Sequence, residues 1–405
     1  MEEKILPIIR FDNFNDYWRT SSLLSQVEVR RGLTYKPNDV RSKGARVLRS
    51  SNIVDDFFVI SDDDVFVSKD VINIPRVSNG DILVTAANGS TKLVGKHAII
   101  KNLPDDEIVV HGGFMLLFKT EQNFFVNAWM SSNEYKRVLQ FVQGGNGAIG
   151  NLSSAILKST KMSVPSFSEQ SAIGSLFNTF DDLLARYKDN LTNYQSLKAT
   201  MLSKMFPKAG QSVPEIRLDG FEGDWKEQTL GSLGSVAMNK RIFKNETSEN
   251  GDIPFYKIGT FGGTADAFIS KEKFQEYKEK YPYPEIGDIL ISASGSIGRT
   301  VVYKGEDAYY QDSNIVWLKH DQQLDNSYLK QYYGIIKWSG IEGTTIKRLY
   351  NKNILETNIF LPPSVAEQQA IGAYFSNLDN LINSHQEKIS QLETLKKKLL
   401  QDMFV

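Results

Sequence analysis

The sequence predicts an α+β protein built from two similar halves: two globular α+β bodies joined by a pair of long coiled-coil-like helices. Three observations lead there. First, Glu169–Leu184 reads EQSAIGSLFNTFDDLL, and Glu367–Ile382 reads EQQAIGAYFSNLDNLI. The two stretches align without a gap from Pro165–Pro207 onto Pro363–Val405. Second, Leu6–Leu23 (LPIIRFDNFNDYWRTSSL) is written again at Val213–Leu230 (VPEIRLDGFEGDWKEQTL). Third, GDILVTA at Gly80 is answered by GDILISA at Gly287. Internal repeats fix architecture before local propensity does.

Each half therefore has a similar entrance, a divergent body and a similar exit. The entrance carries Trp18 or Trp225, four residues after Phe14 or Phe221, and this pair suits a structural anchor. In the bodies, DILVTAA, HAIIK, DILISAS and RTVVYK are short β-branched runs between Gly, Asn and Pro, and read as strands. NAWMSSNEYKRVLQFV and NSYLKQYYGIIKWSG read as helices. The exits are longer helices. Ile173, Phe177, Phe180, Leu184, Tyr187, Leu191 and Tyr194 step by four and three, a heptad seam; Ile371, Phe375, Leu378, Ile382, His385, Ile389 and Leu392 repeat it. Pro165 and Pro362-Pro363 bar an earlier start. Ser166 and Ser364 are N-cap candidates, each with Glu three residues on, the pattern of a capping box. The expected division is 1–162 for the first body, 163–212 for a central helical segment, 213–360 for the second body and 361–405 for a C-terminal helical segment.

An isolated helix gains little in water, so each apolar stripe needs a partner, and the nearest partner is its own copy. The pair can run parallel or antiparallel; the antiparallel choice relates the halves by a pseudo-twofold axis. Glu169–Phe206 spans roughly 57 Å at about 1.5 Å per residue, or about 17 base pairs.

Composition narrows the functional classes. The 405-residue chain has formal net charge −1 and no cysteine. Disulfides and thiolate metal sites are excluded, a reducing cytoplasm is the expected compartment, and any nucleic-acid role needs local basic patches. The acidic opening MEEK does not suit a signal peptide, and no apolar run is long enough to cross a bilayer. Catalytic signatures are missing. The one Pro-Pro pair, Pro362-Pro363, lacks the Asp/Asn and aromatic neighbours of an amino-methyltransferase motif. Gly89–His97 (GSTKLVGKH) has one residue too many between its glycines for a phosphate loop, and His97 where Ser or Thr belongs. His97, His111, His320 and His385 show no ligand spacing. No catalytic, cofactor-binding or metal-binding residue is assigned.

Together, LPPSVAEQQAIGAYFSNLDNLINSHQEKISQLETLKKKLLQDMF and VPEIRLDGFEGDWKEQTLGSL resemble the conserved regions of the specificity (S) subunit of type I restriction-modification systems. The resemblance covers the whole chain. The first half departs slightly, with Ile8 in place of the Glu of PEIR and SVPSFSEQS in place of LPPSVAEQQ. The resemblance implies two target-recognition domains reading the two parts of a split DNA site, an antiparallel helical spacer, and no catalysis in this chain. It also implies two methylation (M) subunits that use S-adenosylmethionine, and endonuclease (R) subunits that use ATP and Mg²⁺.

In that light, the residues expected to meet double-stranded DNA are those of basic or polar runs. In the first body they are Arg30, Arg31, Lys36, Arg41, Lys43, Arg46 and Arg49, accompanied by one acid, Asp39; then Asn88, Ser90 and Lys92 beyond the GDIL strand; and Gln143 and Asn146 in QGGNGAIGN. In the second they are Lys240, Arg241 and Lys244; Ser296 and Arg299; and Thr345, Lys347, Arg348, Tyr350 and Lys352. Phosphate contacts need Lys or Arg, and base readout needs polar side chains in a groove. The competing reading is a duplicated coiled-coil scaffold whose bodies bind proteins; basic runs in both halves argue against it.

Overall fold

The computed structural model describes residues 5–142, 150–340 and 348–404. The chain divides into two compact units: Met1–Lys188 with Glu387–Val405, and Asp189–Gln386. Each unit thus takes its body from one half of the sequence and a helix end from the other.

Unit one is built on an antiparallel sheet ordered His97–Ile99, Ile82–Thr85, Met115–Lys119, Glu28–Arg31. A second sheet pairs Ile108–His111 in parallel with Ala45–Leu48, which is followed by Val65–Val67 and Val40–Arg41. Leu48, Leu83, Ala98, Val109 and Leu117 fill the core between them. The expected single helix over 127–142 is two, Asn123–Ser131 and Asn133–Leu139, because Ser132 leaves helical geometry and caps the second through the Glu134 N–H.

Unit two repeats the first sheet with Thr300–Val302, Ile289–Ser292, Ile315–His320 and Gly234–Ala237. The register matches: Thr85 faces Met115 in unit one, and Ser292 faces Ile315 in unit two. The GDIL signature explains itself here. Gly80 and Gly287 sit at φ +93° and +98°, which a side chain resists. The next residue, Asp81 or Asp288, accepts the backbone N–H of Ser78 or Glu285 at 2.8 Å in each case, closing the turn into the strand.

The exit helices run Phe167–Lys204 and Val365–Asp402. Ser166 and Ser364 cap them, accepting the Glu169 and Glu367 N–H at 3.4 and 3.2 Å. Only this half of the expected capping box forms, because both glutamate side chains turn to arginines of the entrance segments. Arg10 binds Glu169 and Arg217 binds Glu367, each through two hydrogen bonds.

Within each unit the two helices run antiparallel. In unit one, Phe177 meets Phe404 at 5.9 Å between ring centroids, Asp181 binds Lys396 at 2.5 Å, and Lys188 binds Glu393 at 2.9 Å. In unit two, Phe375 meets Phe206 at 6.0 Å, Asp379 binds Lys198 at 2.5 Å, and His385 meets Tyr194 at 5.2 Å. Of the seam residues, Ile173, Phe177, Phe180, Leu184, Ile371, Phe375, Leu378 and Ile389 are buried, whereas Leu191 and Ile382 are half-buried.

The glycine shared by both helix motifs has a packing role. A Cβ on Gly174 would lie 2.8 Å from the Phe125 backbone nitrogen, and one on Gly372 would lie 1.9 Å from the Ser327 Oγ. Each long helix approaches the backbone of its body helix (Asn123–Ser131 or Asn326–Tyr333) too closely for any side chain.

Candidate nucleic-acid interface

In both units a turn at the same place in the sheet organises the polar surface. It is the connection into the third strand of the repeated sheet. In unit one it is Gly112–Met115, closed by the Met115 N–H on the Gly112 carbonyl at 2.8 Å. The Ala86 and Ala87 N–H groups both donate to the Phe114 carbonyl, at 2.9 and 3.1 Å, and tie the turn to the loop after GDIL. Phe114 itself is 67% exposed. It borders two grooves. One, of about 820 Å³, is lined by Tyr35, Pro37, Val40, Arg49 and Asn88 among others. The other, of about 670 Å³, carries Arg31, Ser153, Ser154 and Lys158, with Glu28 as the one acid among its described residues.

The predicted cations of unit one therefore separate. Arg49 and Asn88 line the first groove; Lys36 and Arg41 are exposed next to its lining residues Pro37 and Val40. Arg41 is held by the carbonyls of Asn38 and Val40. Arg31 lines the second groove, bonded to Ser154 Oγ at 2.8 Å. Arg30 is paired with Glu28 at 2.7 Å, and Lys43 is exposed. Asn88 accepts the Ser90 N–H at 3.0 Å, which shapes its loop. Lys92 lies elsewhere, in a cavity of about 640 Å³ that also contains Lys96, Lys136 and Lys397.

Arg46 corrects the sequence reading. It is buried, with ion pairs of 2.7 Å to both Asp64 and Glu107. The hydrogen bond to Glu107, aided by Asp64, outweighs burial and holds its guanidinium proton more tightly than usual. Its side chain points from the core-facing strand Ala45–Leu48, so its charge is spent inside the protein. Gln143 and Asn146, like Thr345 and Lys347 in the second body, lie outside the described residues.

In unit two the corresponding turn is Asp312–Asn314. The Ala293 N–H donates to the Asn314 carbonyl at 2.7 Å, matching the Ala86 bond to Phe114. Around this turn, Arg241 pairs with Asp312 at 2.9 Å, Arg348 donates to the Ser313 carbonyl at 3.1 Å, and the Ser294 hydroxyl donates to Asn314 Oδ1 at 2.9 Å. Arg348 also stands 5.8 Å from the ring centroid of Tyr350, which is 61% exposed. Ser296 and Arg299 line a small cavity of about 230 Å³, where Arg299 reaches the Phe261 carbonyl at 2.6 Å. Lys240 stands over Tyr281, Lys244 is exposed, and Lys352 pairs loosely with Glu356 at 3.7 Å. Among the described residues there is no cluster suited to a metal ion and no helix long and apolar enough to cross a membrane.

Sequence reasoning passed over Phe114 and Asn314. The signal that pointed to the first was the Gly-Gly pair before an aromatic in HGGF. The second had none, because its place is defined by the backbone bond to Ala293.

This arrangement, two polar faces of different chemistry on one repeated scaffold, can be set beside known proteins. Residues 222–394 match the family model described as the type I restriction modification DNA specificity domain. Over that stretch the chain is similar to type I restriction-modification specificity subunits. A Haemophilus influenzae protein named as a type I restriction enzyme specificity subunit is 56% identical over 156 residues, which is 38% of this chain and 40% of that protein's length. A Methanocaldococcus jannaschii protein named as the putative MjaX specificity subunit is 24% identical over 410 residues, covering 95% of this chain and 92% of its own. The crystal structure of the type I restriction-modification S subunit from M. genitalium shares the fold, with a TM-score of 0.67 at 16% identity over 99% of both chains.

Proposed function

We propose that the chain is the non-catalytic DNA-reading subunit of a cytoplasmic type I restriction-modification complex, each body reading one half of a bipartite site. The observation that carries this reading is the repeated sheet with its repeated turn. One scaffold presents Phe114, Arg49, Asn88 and Arg31 in unit one, and Asn314, Arg348, Arg241 and Ser294 in unit two. A common frame with different side chains is what two unlike half-sites require. Lys and Arg fix the register on phosphates, and Asn, Ser and Arg reach base edges.

The long helices contribute to both units and set the separation of the half-sites. They also dock the methylation subunits. Unit one exposes Leu183 and Leu395, and unit two exposes Leu381 and Leu197. These leucines hold equivalent places in the helix repeat, so each unit offers the same apolar pair, and two methylation subunits bind. Those subunits extrude an adenine and methylate it with S-adenosylmethionine. Endonuclease subunits with ATP and Mg²⁺ join for cleavage.

The test is a body exchange. Residues 213–360 are replaced by the body of another specificity subunit, the chain is expressed with its methylation subunit, and methylated bases in genomic DNA are mapped. One half of the recognised sequence changes and the other stays. An unchanged sequence refutes the reading.

A further inference from the structure

The turn at Phe114 carries more than a general DNA role. Phe114 is 67% exposed at the border of two grooves, so its position relative to their charges decides what it can meet. Its backbone is fixed by the two alanine N–H groups and by the Gly112–Met115 bond, so the ring stands on a stiff base rather than a loose tip. It borders both grooves, one carrying Arg49 and the other Arg31 and Lys158. Among the described residues, the charged side chains in the two grooves are cationic apart from Glu28. An apolar ring flanked by cations matches a duplex, which offers stacked bases between two rows of phosphates. A protein partner would have to bring acidic groups to both grooves, whereas a duplex carries phosphates along both of its strands. In unit two the equivalent position is Asn314, half-buried and bonded to Ser294, so the apolar feature belongs to one body alone.

We infer that Phe114 is a specificity-determining wedge that inserts between two adjacent bases of the first half-site, unstacking that step while Arg49 and Arg31 hold the flanking phosphates. The inference rests on the proposed DNA-reading role. It makes the first half-site sensitive to deformability as well as to base edges, because a pyrimidine–purine step opens more readily than others.

The test uses the full chain in complex with its methylation subunit. Methylation mapping first gives the site recognised by the wild-type complex. Duplexes of that site, with 2-aminopurine at each first-half position in turn, are then titrated with wild type, Phe114→Ala and Phe114→Leu. The wild-type complex raises fluorescence at one step. Phe114→Ala abolishes that rise and binds about tenfold more weakly, a loss in the range of one base–aromatic contact. Phe114→Leu, itself a wedge-forming residue, stays within about threefold of wild type. The second half-site remains strictly read in all three complexes, which shows that the variants are folded. If Phe114→Ala retains both the fluorescence rise and the affinity while the mapped site is bipartite, the wedge is wrong and the DNA-reading role stands. If the wild-type complex yields no bipartite site, both fall.

Discussion

The carboxylate of Glu169 accepts two hydrogen bonds from the Arg10 guanidinium, both at 2.7 Å, and a third from Trp18 Nε1 at 3.3 Å. This joins the entrance of the first half to the start of its long helix. Glu169 is fully buried, and Arg10 is largely so. The pairing with Glu169 outweighs the burial of Arg10 and keeps the guanidinium firmly charged. The same lock recurs as Arg217–Glu367, at 2.8 Å through both nitrogens.

Removing one member leaves the other charge buried and unpaired. Glu169→Ala and Arg10→Ala are each expected to destabilise unit one by about 3–5 kcal/mol. Denaturant unfolding followed by tryptophan fluorescence, to which Trp18 contributes, measures this. The double variant is expected to cost less than the sum of the two, since the second change removes an already uncompensated group.

Gly174→Ala reverses the usual rule. In an exposed helix the change stabilises by about 1 kcal/mol. Here the added methyl meets the Phe125 backbone nitrogen, so a loss of about 1–3 kcal/mol is expected from overpacking. Thermal unfolding of the variant checks the sign.

Asp379 supplies a pH dependence. Burial pushes its carboxyl up, but the ammoniums of Lys198 at 2.5 Å and Lys330 at 2.9 Å more than offset that, and it titrates below the ordinary aspartate range. Its contribution is therefore present above the unfolded value of about 3.9 and fades as pH falls through the lower folded value. Asp379→Asn is expected to be less stable than wild type at neutral pH. The difference shrinks as pH falls below about 4, as urea unfolding at a series of pH values reads out.

Two arginines three residues apart are expected to behave oppositely. Arg46→Ala strands the buried Asp64 and unfolds unit one readily, by about 3–5 kcal/mol. Arg49→Ala folds like wild type but weakens binding to all duplexes and reduces the salt slope of log K by about 1. Melting curves paired with fluorescence anisotropy across a salt series separate the two.

Much of the architecture was legible in the residues. The heptad seam gave both long helices, the repeated GDIL gave the second strand of each sheet, and the lone Pro and Pro-Pro gave the helix starts. The capping box was half legible, because a sequence cannot say whether a glutamate turns back to its own helix or outward to an arginine 159 residues away. The candidate interface was legible as basic runs and illegible as a surface. Arg46 and Arg49 read alike in sequence, yet the first lies in a strand buried along its whole length and pairs with two distant carboxylates.

By itself, the sequence determined the duplication, the two long helices and the strands that follow Gly80 and Gly287, because these depend on local periodicity. Only the tertiary structure decided that each of the two dissimilar bodies builds its own copy of the same four-stranded sheet in the same register. It also decided that a helix end from the other half completes each unit, and that Phe114 and Asn314 occupy the same place. Strand pairing and ring packing join residues far apart in the chain, and their energy lies in contacts that no local pattern records.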